Sequence, residues 1–141
     1  MHEQNNRPWI ILITHGRFGE ELKKSAEMIV GAMTDVYCFS LVEGMDPIDL
    51  TAALKEKLNG APENTVILTD FYGGTPSNVA ARFATEKEYT VICGLNLSIL
   101  IEAEMIRYKG NYENLSERIL SAGVDSVKNI TEMMKVRRGH D

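Results

Sequence analysis

Apolar residues fall into four short runs, "WIILIT" (9–14), "VYCFSL" (36–41), "TVILTD" (65–70) and "TVICGL" (90–95), separated by longer segments of helical period. Three of the runs are nearly continuous in apolar residues instead of alternating, as parallel strands covered on both faces are. Between them, Leu22, Ala26, Ile29 and Val30 mark one helical stripe, and Leu50, Leu54 and Leu58 mark a second. The second helix starts at "MDPID", where Asp46 caps and Pro47 takes the first helical position. A third starts at "GGTPSN", with Thr75 as the expected cap, Pro76 in the first turn, and Val79 and Phe83 on the inner face. A fourth runs from about Leu97 to Tyr108, and a fifth begins near Asn114, whose spacing to Glu117 resembles a capping box.

This alternation predicts an α/β fold: a doubly wound, mainly parallel sheet of order 2-1-3-4, with helices on both faces and right-handed crossovers. No repeat, low-complexity stretch or linker divides the chain, so one domain over 1–141 is expected, with a core at about 9–130 and a tail at about 131–141. The stretch "GVDSVKNITEMM" either extends a helix or supplies a final edge strand, and the tail "KVRRGHD" is expected to be solvated and mobile.

Composition narrows the function classes. A chain of 141 residues with 44% hydrophobic residues can bury a core without staples. The formal net charge of −5, with no basic stretch interleaved with aromatics, argues against nucleic acid or an anionic membrane as partner. No apolar segment approaches the ~20 residues of a membrane span, and the start "MHEQNNRP" has no signal-peptide core, so a cytoplasmic protein is expected. Cys38 and Cys93 sit singly in apolar runs, which suits buried thiols in a reducing compartment better than a disulfide or metal site.

Ligands of doubly wound sheets favour the C-terminal strand edge at the point where strand order reverses. Strand one leaves into Thr14, His15 and Gly16, strand three into "TDFYGGTPSN", and strand four into "GLNLS". With the order 2-1-3-4, strands one and three are neighbours about 4.8 Å apart, which puts His15 and Asp70 within side-chain reach. A carboxylate accepting from Nδ1–H fixes the tautomer and frees Nε2 as a nucleophile or base. Gly73 and Gly74 let backbone N–H groups approach an anion, and the helix opening at Thr75 adds donors. Together these make a histidine able to carry a phosphoryl group. Each element also has a plainer explanation: a histidine bonded at a strand end, an aspartate capping its loop, a turn before a helix, and Asn96 bracing its own loop.

Other chemistries lack their residues. A receiver domain needs an acidic pair after strand one to hold Mg²⁺, where this chain has Thr14 and His15. Neither G-x-S-x-G nor G-x-x-x-x-G-K-[ST] occurs, and His2 and His140 lie in ends expected to fray, so no second histidine is well placed for zinc.

Three segments, "ITHGRFGEELKKSAEMIVG", "LTDFYGGTPSNVAARF" and "VICGLNLSILIEAEMI", resemble the mannose-type enzyme IIA domains of the bacterial phosphoenolpyruvate-dependent sugar phosphotransferase system, over about 9–130. The resemblance implies that His15 receives a phosphoryl group from phospho-HPr and passes it to a IIB component, with IIC and IID components carrying the membrane role. It implies that Asp70 orients the imidazole and that Thr75, with nearby amides of Gly73 and Gly74, receives the phosphoryl oxygens, with Asn96 as loop support. It further implies a phosphotransferase with a phosphohistidine intermediate and no nucleotide, metal or organic cofactor, and a homodimer in which an antiparallel C-terminal edge strand is exchanged. The family's third segment reads N-L-P-M-L, whereas Ser98 and Ile99 stand here for proline and methionine. Alternatives are the phosphotransfer subunit of a dihydroxyacetone kinase, a regulatory module switched by phosphorylation, and a non-catalytic binding domain.

Overall fold

The computed structural model describes residues 7–139. In chain order its elements are β1 (Ile10–His15), α1 (Phe18–Val30), β2 (Val36–Leu41), α2 (Pro47–Leu58), β3 (Val66–Thr69), α3 (Thr75–Ala81), β4 (Thr90–Cys93), α4 (Leu97–Lys109), α5 (Leu115–Asp125) and α6 (Ile130–Gly139). The sheet has the order β2-β1-β3-β4 and every pairing is parallel.

The continuous apolar run of β1 follows from cover on both faces. Ile10 and Leu12 point into one core with Ala26, Ile99, Ile106 and Ile119 of α1, α4 and α5. Ile11 and Ile13 point into the other with Leu50, Leu54, Leu58 and Val79 of α2 and α3. All four β1 side chains are fully buried, and each such burial is worth about 1.5–3 kcal/mol. The chain moves from β1 to β2 in one direction and then back across β1 to β3, so right-handed crossovers send α1 to one face and α2 and α3 to the other. The helices diverge at the C-terminal ends of β1 and β3.

Several local expectations change. Ile29 is 62% exposed, and Met33 beyond the helix end fills the core position instead. Asp46 does cap α2, its Oδ1 accepting from the Ile48 N–H at 2.9 Å. Thr75 does not cap α3: Gly74 occupies the cap position and Thr75 is the first helical residue. Asn114 precedes α5 with φ +55° and no side-chain cap, because a left-handed backbone turns its amide away from the capping geometry.

The segment after Gly123 forms no strand. α5 continues to Asp125, and α6 starts after Asn129, whose Oδ1 accepts from the Glu132 N–H at 3.0 Å. The tail is exposed, as expected of a solvated segment, and is helical through Gly139, since Asn129 satisfies a free amide and "TEMMKVRR" contains no breaker. Residues 140 and 141 lie outside the described residues, as do His2 and the rest of the first six.

Candidate functional site

The β1–β3 ladder runs to the pair Ile13 and Thr69, after which β3 ends and the chain turns at Asp70. His15 is two residues further along β1, still paired with Leu41 of β2 but with no strand residue left on the β3 side. The Asp70 carboxylate fills that gap. Its Oδ2 accepts the His15 backbone N–H at 2.7 Å and lies 2.9 Å from Nδ1 of the same residue. A carboxylate can only accept, so Nδ1 carries the hydrogen, and in the neutral ring Nε2 then presents its lone pair. One oxygen thus fixes both the backbone and the ring of His15.

The two partners differ in exposure. The Asp70 side chain is 12% exposed and that of His15 51%, so the carboxylate is a sheltered anchor and the imidazole an accessible group. Asp70 Oδ1 is buried and has no hydrogen-bond partner among the described residues, leaving the two His15 donors as the carboxylate's compensation. Nε2 makes no hydrogen bond among the described residues.

Two glycines shape the loop that passes the ring. Gly73 has φ +87°, a left-handed conformation in which a side chain would be strained. Gly74 has an ordinary backbone, but a Cβ there would stand 2.8 Å from His15 Cε1 and 3.4 Å from Nε2. A methyl there would push the ring aside, because the ring lies against the backbone that opens α3. The Gly74 N–H itself donates to Phe71 O at 3.1 Å and is engaged within the loop. Thr75, next in the chain, is half-buried, and its hydroxyl has no protein partner among the described residues.

Two supports escaped the sequence reading. Thr14 is buried behind His15, and its Oγ1 accepts from the Gly19 N–H at 2.9 Å, tying the end of β1 to the start of α1. Ser77 Oγ donates to Phe71 O at 2.8 Å and lies 2.6 Å from Thr69 Oγ1. A strand-end threonine carries no marker of this use, and a serine in the first helical turn is an ordinary choice.

Asn96 lies on the neighbouring loop. It caps α4, with Oδ1 accepting from Ile99 N–H at 2.8 Å, while Nδ2 donates to Ser126 Oγ at 3.3 Å. It braces the β4 exit and makes no hydrogen bond to the His15–Asp70 pair. The Asn96 cap also lets α4 start without the family's proline, with Ser98 as its second residue. Among the described residues no group of three or more His, Cys, Asp or Glu side chains is placed to hold a metal ion, and no helix is long and apolar enough to cross a membrane.

A half-exposed histidine held by a carboxylate through Nδ1 and set at the switch point of a doubly wound sheet defines an α/β domain with an accessible imidazole at its ligand-binding edge. The family described as "PTS system fructose IIA component" matches residues 9–120, and the chain belongs to it. The chain is 32% identical over 127 residues to the "PTS system mannose-specific EIIAB component" of Escherichia coli (strain K12), covering 84% of itself and 38% of that protein. It is 33% identical over 101 residues to the "PTS system fructose-specific EIIA component" of Bacillus subtilis (strain 168), covering 70% and 69%. The crystal structure of phosphotransferase system component EIIA from Streptococcus agalactiae superposes with a TM-score of 0.80 at 30% identity, over 88% of this chain and 98% of that one. The chain thus spans well under half the length of the Escherichia coli relative and nearly all of the streptococcal one.

Proposed function

We propose that this protein is a phosphoryl carrier of a sugar phosphotransferase system, accepting a phosphoryl group from phospho-HPr on His15 and delivering it to a IIB component. The observation that carries the reading is the paired 2.7 and 2.9 Å bonds from His15 to Asp70 Oδ2, which leave Nε2 as the free nucleophilic atom. The half-exposed ring suits a donor that is itself a protein side chain.

In the transfer step the Nε2 lone pair attacks phosphorus in line with the donor's N–P bond. The Nε2–P bond forms as the N–P bond breaks, and the leaving imidazole keeps the bonding pair. Positive charge develops on the His15 ring, and the Asp70 carboxylate stabilises it through Nδ1–H. Alignment and electrostatics supply the catalysis, with no metal or nucleotide in the step. Thr75 and the backbone at Gly73 receive the phosphoryl oxygens, the Thr75 hydroxyl being left free by the loop's own bonds, and Gly74 joins them only by giving up its N–H bond to Phe71 O. Delivery reverses the step toward IIB, and IIC and IID components complete uptake at the membrane.

The protein acts as a homodimer in this reading. Leu120 and Val124 of α5 and Ile130 and Met133 of α6 are exposed, and β4 is an open sheet edge, so a second copy has apolar surface and strand edge to cover. The relatives' names favour sugar transport over a dihydroxyacetone kinase subunit or a regulatory module.

The test is incubation with phosphoenolpyruvate, enzyme I and HPr, followed by intact mass measurement and addition of IIB proteins. One acid-labile, base-stable phosphoryl group per chain is expected, absent in His15→Ala and discharged by a cognate IIB. Stoichiometric labelling of folded His15→Ala rejects the assignment. Light scattering at micromolar concentration checks the dimer, and a monomer rejects it.

A further inference from the structure

Ser77 lies two residues beyond Thr75 and is not one of the groups that the transfer step uses, yet its hydroxyl is the hub of the loop between β3 and α3. A hydroxyl has one hydrogen, and that of Ser77 goes to Phe71 O at 2.8 Å. In the 2.6 Å contact with Thr69 the donor must then be Thr69, whose side chain is buried at the end of β3. The bonds form a directed chain: Thr69 O–H to Ser77 Oγ, Ser77 O–H to Phe71 O, with Phe71 O accepting also from Gly74 N–H at 3.1 Å.

This chain closes the 70–74 segment at both ends. Asp70, which holds the ring through Oδ2, immediately precedes Phe71, and Gly74, which packs against Cε1 and Nε2, is tied to the same carbonyl. Phe71 and Tyr72 are exposed, so their side chains give the segment no anchorage of their own.

We propose that Ser77, backed by Thr69, is a positioning residue for His15: its hydroxyl fixes the Phe71 carbonyl and thereby sets both the Asp70 carboxylate that orients the imidazole and the Gly74 backbone that limits its swing. The rate consequence rests on the phosphoryl-carrier reading; the geometric one does not. In Ser77→Ala the Phe71 carbonyl loses one of its two donors and Thr69 its acceptor, and the segment gains freedom around an unchanged nucleophile.

The experiment pairs two readouts on Ser77→Ala, Ser77→Thr and Thr69→Val. The first is the rate of phosphorylation by phospho-HPr. The second is the His15 tautomer ratio from ring ¹⁵N shifts in the unphosphorylated protein, which requires no partner. Ser77→Ala is expected to slow transfer about tenfold, a part of what a full ångström of misplacement costs, and to raise the population of the Nε2–H tautomer. Ser77→Thr restores both because the hydroxyl returns, and Thr69→Val gives a smaller shift in the same direction. A parent tautomer ratio in folded Ser77→Ala overturns the proposal whatever the rate does, since a purely structural serine leaves the ring unchanged. Should Ser77→Ala fail to fold, Thr69→Val decides by the same ratio. If the parent itself takes no phosphoryl group from HPr, the carrier reading falls while the tautomer readout still decides the role of Ser77.

Discussion

Replacing Gly74 by alanine separates the alignment of the imidazole from the stability of the fold. The Gly74 backbone, at φ −81° and ψ 167°, is one alanine adopts without strain, so the substitution acts only through the added methyl. That methyl meets His15 Cε1 at 2.8 Å, Nε2 at 3.4 Å and Phe71 O at 3.3 Å. Carbon atoms rest at about 3.5–4.0 Å, so the ring must withdraw by roughly 0.7 Å or more. Asp70 Oδ2 is held by the His15 backbone N–H at 2.7 Å and does not follow the ring, so the 2.9 Å Nδ1 bond takes up the displacement. The side chain is half exposed and swings into solvent at little expense; the fold should lose no more than about 1 kcal/mol, the usual net worth of one hydrogen bond. The phosphorylation rate, by contrast, should fall by roughly 10²-fold, as expected when a reacting group is misplaced by about an ångström. Urea denaturation gives the first quantity and rapid-quench transfer from phospho-HPr the second. A parent transfer rate in folded Gly74→Ala refutes the claim that this close approach aligns the ring. A stability loss of several kcal/mol refutes the claim that the ring can yield.

The other expectations concern distinct parts of the molecule. Asp70→Ala should remain folded and accept phosphate roughly ten- to a hundredfold more slowly, with Asp70→Asn no more impaired, because the nucleophile survives without its orienting charge; transfer kinetics with far-UV circular dichroism check both. Arg107, buried in α4, donates to Glu104 Oε1 at 2.6 Å and to the carbonyls of Pro8, Thr34 and Asp35, so Arg107→Ala strands a buried carboxylate and should cost about 3–5 kcal/mol in urea denaturation. Burial pushes the Cys38 thiol up, with Glu20 adding to the shift and Lys23 opposing it, so maleimide labelling at mildly alkaline pH should be slower than for the unfolded chain. A raised folded-state value means that the folded form holds its proton longer. The contribution is therefore present in full below the unfolded thiol's range and lost as pH rises through the folded value, and stability measured by denaturation at stepped alkaline pH should fall relative to Cys38→Ala.

The sheet was legible because burial on both faces leaves a direct imprint: Ile10 to Ile13 can be continuously apolar only where α1, α4 and α5 cover one side and α2 and α3 the other. The juxtaposition of His15 and Asp70 followed from strand order alone, since neighbouring strand ends lie within side-chain reach. What the sequence hid was satisfied by partners remote along the chain. Glu104 and Arg107 stand three residues apart with no sequence mark of their burial, yet the guanidinium ties α4 to carbonyls just before β1 and in the α1–β2 turn. Ser77 reads as a helix-start residue, and only the fold shows its hydroxyl facing Thr69 and Phe71 O. The caps expected at Thr75 and Asn114 failed for a related reason. A capping side chain needs extended backbone at its own position, and that is set by the preceding turn: Gly74 takes the extended conformation before α3, and Asn114 is left-handed.

A phosphoryl carrier must hold its cargo firmly enough to survive between partners and loosely enough to surrender it, and the charges around His15 bear on that balance. The group nearest the ring is an anion, Asp70, placed on the Nδ1 side and opposite the atom that would bond phosphorus. There it favours the ring's developing positive charge without contacting the phosphoryl oxygens. Arg17, the cation next along the chain, is exposed and engaged with Glu20 at 3.6 Å. The hydroxyl of Thr75 is neutral, and the Gly74 N–H is spent on Phe71 O. A lysine or arginine clamped on the phosphoryl group would deepen the bound state, by the strength of a charge-assisted bond, and slow release by the same margin. Stabilisation directed at the ring acts on the charge that develops as Nε2 bonds phosphorus, so it favours acceptance from the donor while the phosphoryl oxygens stay unclamped for the next acceptor.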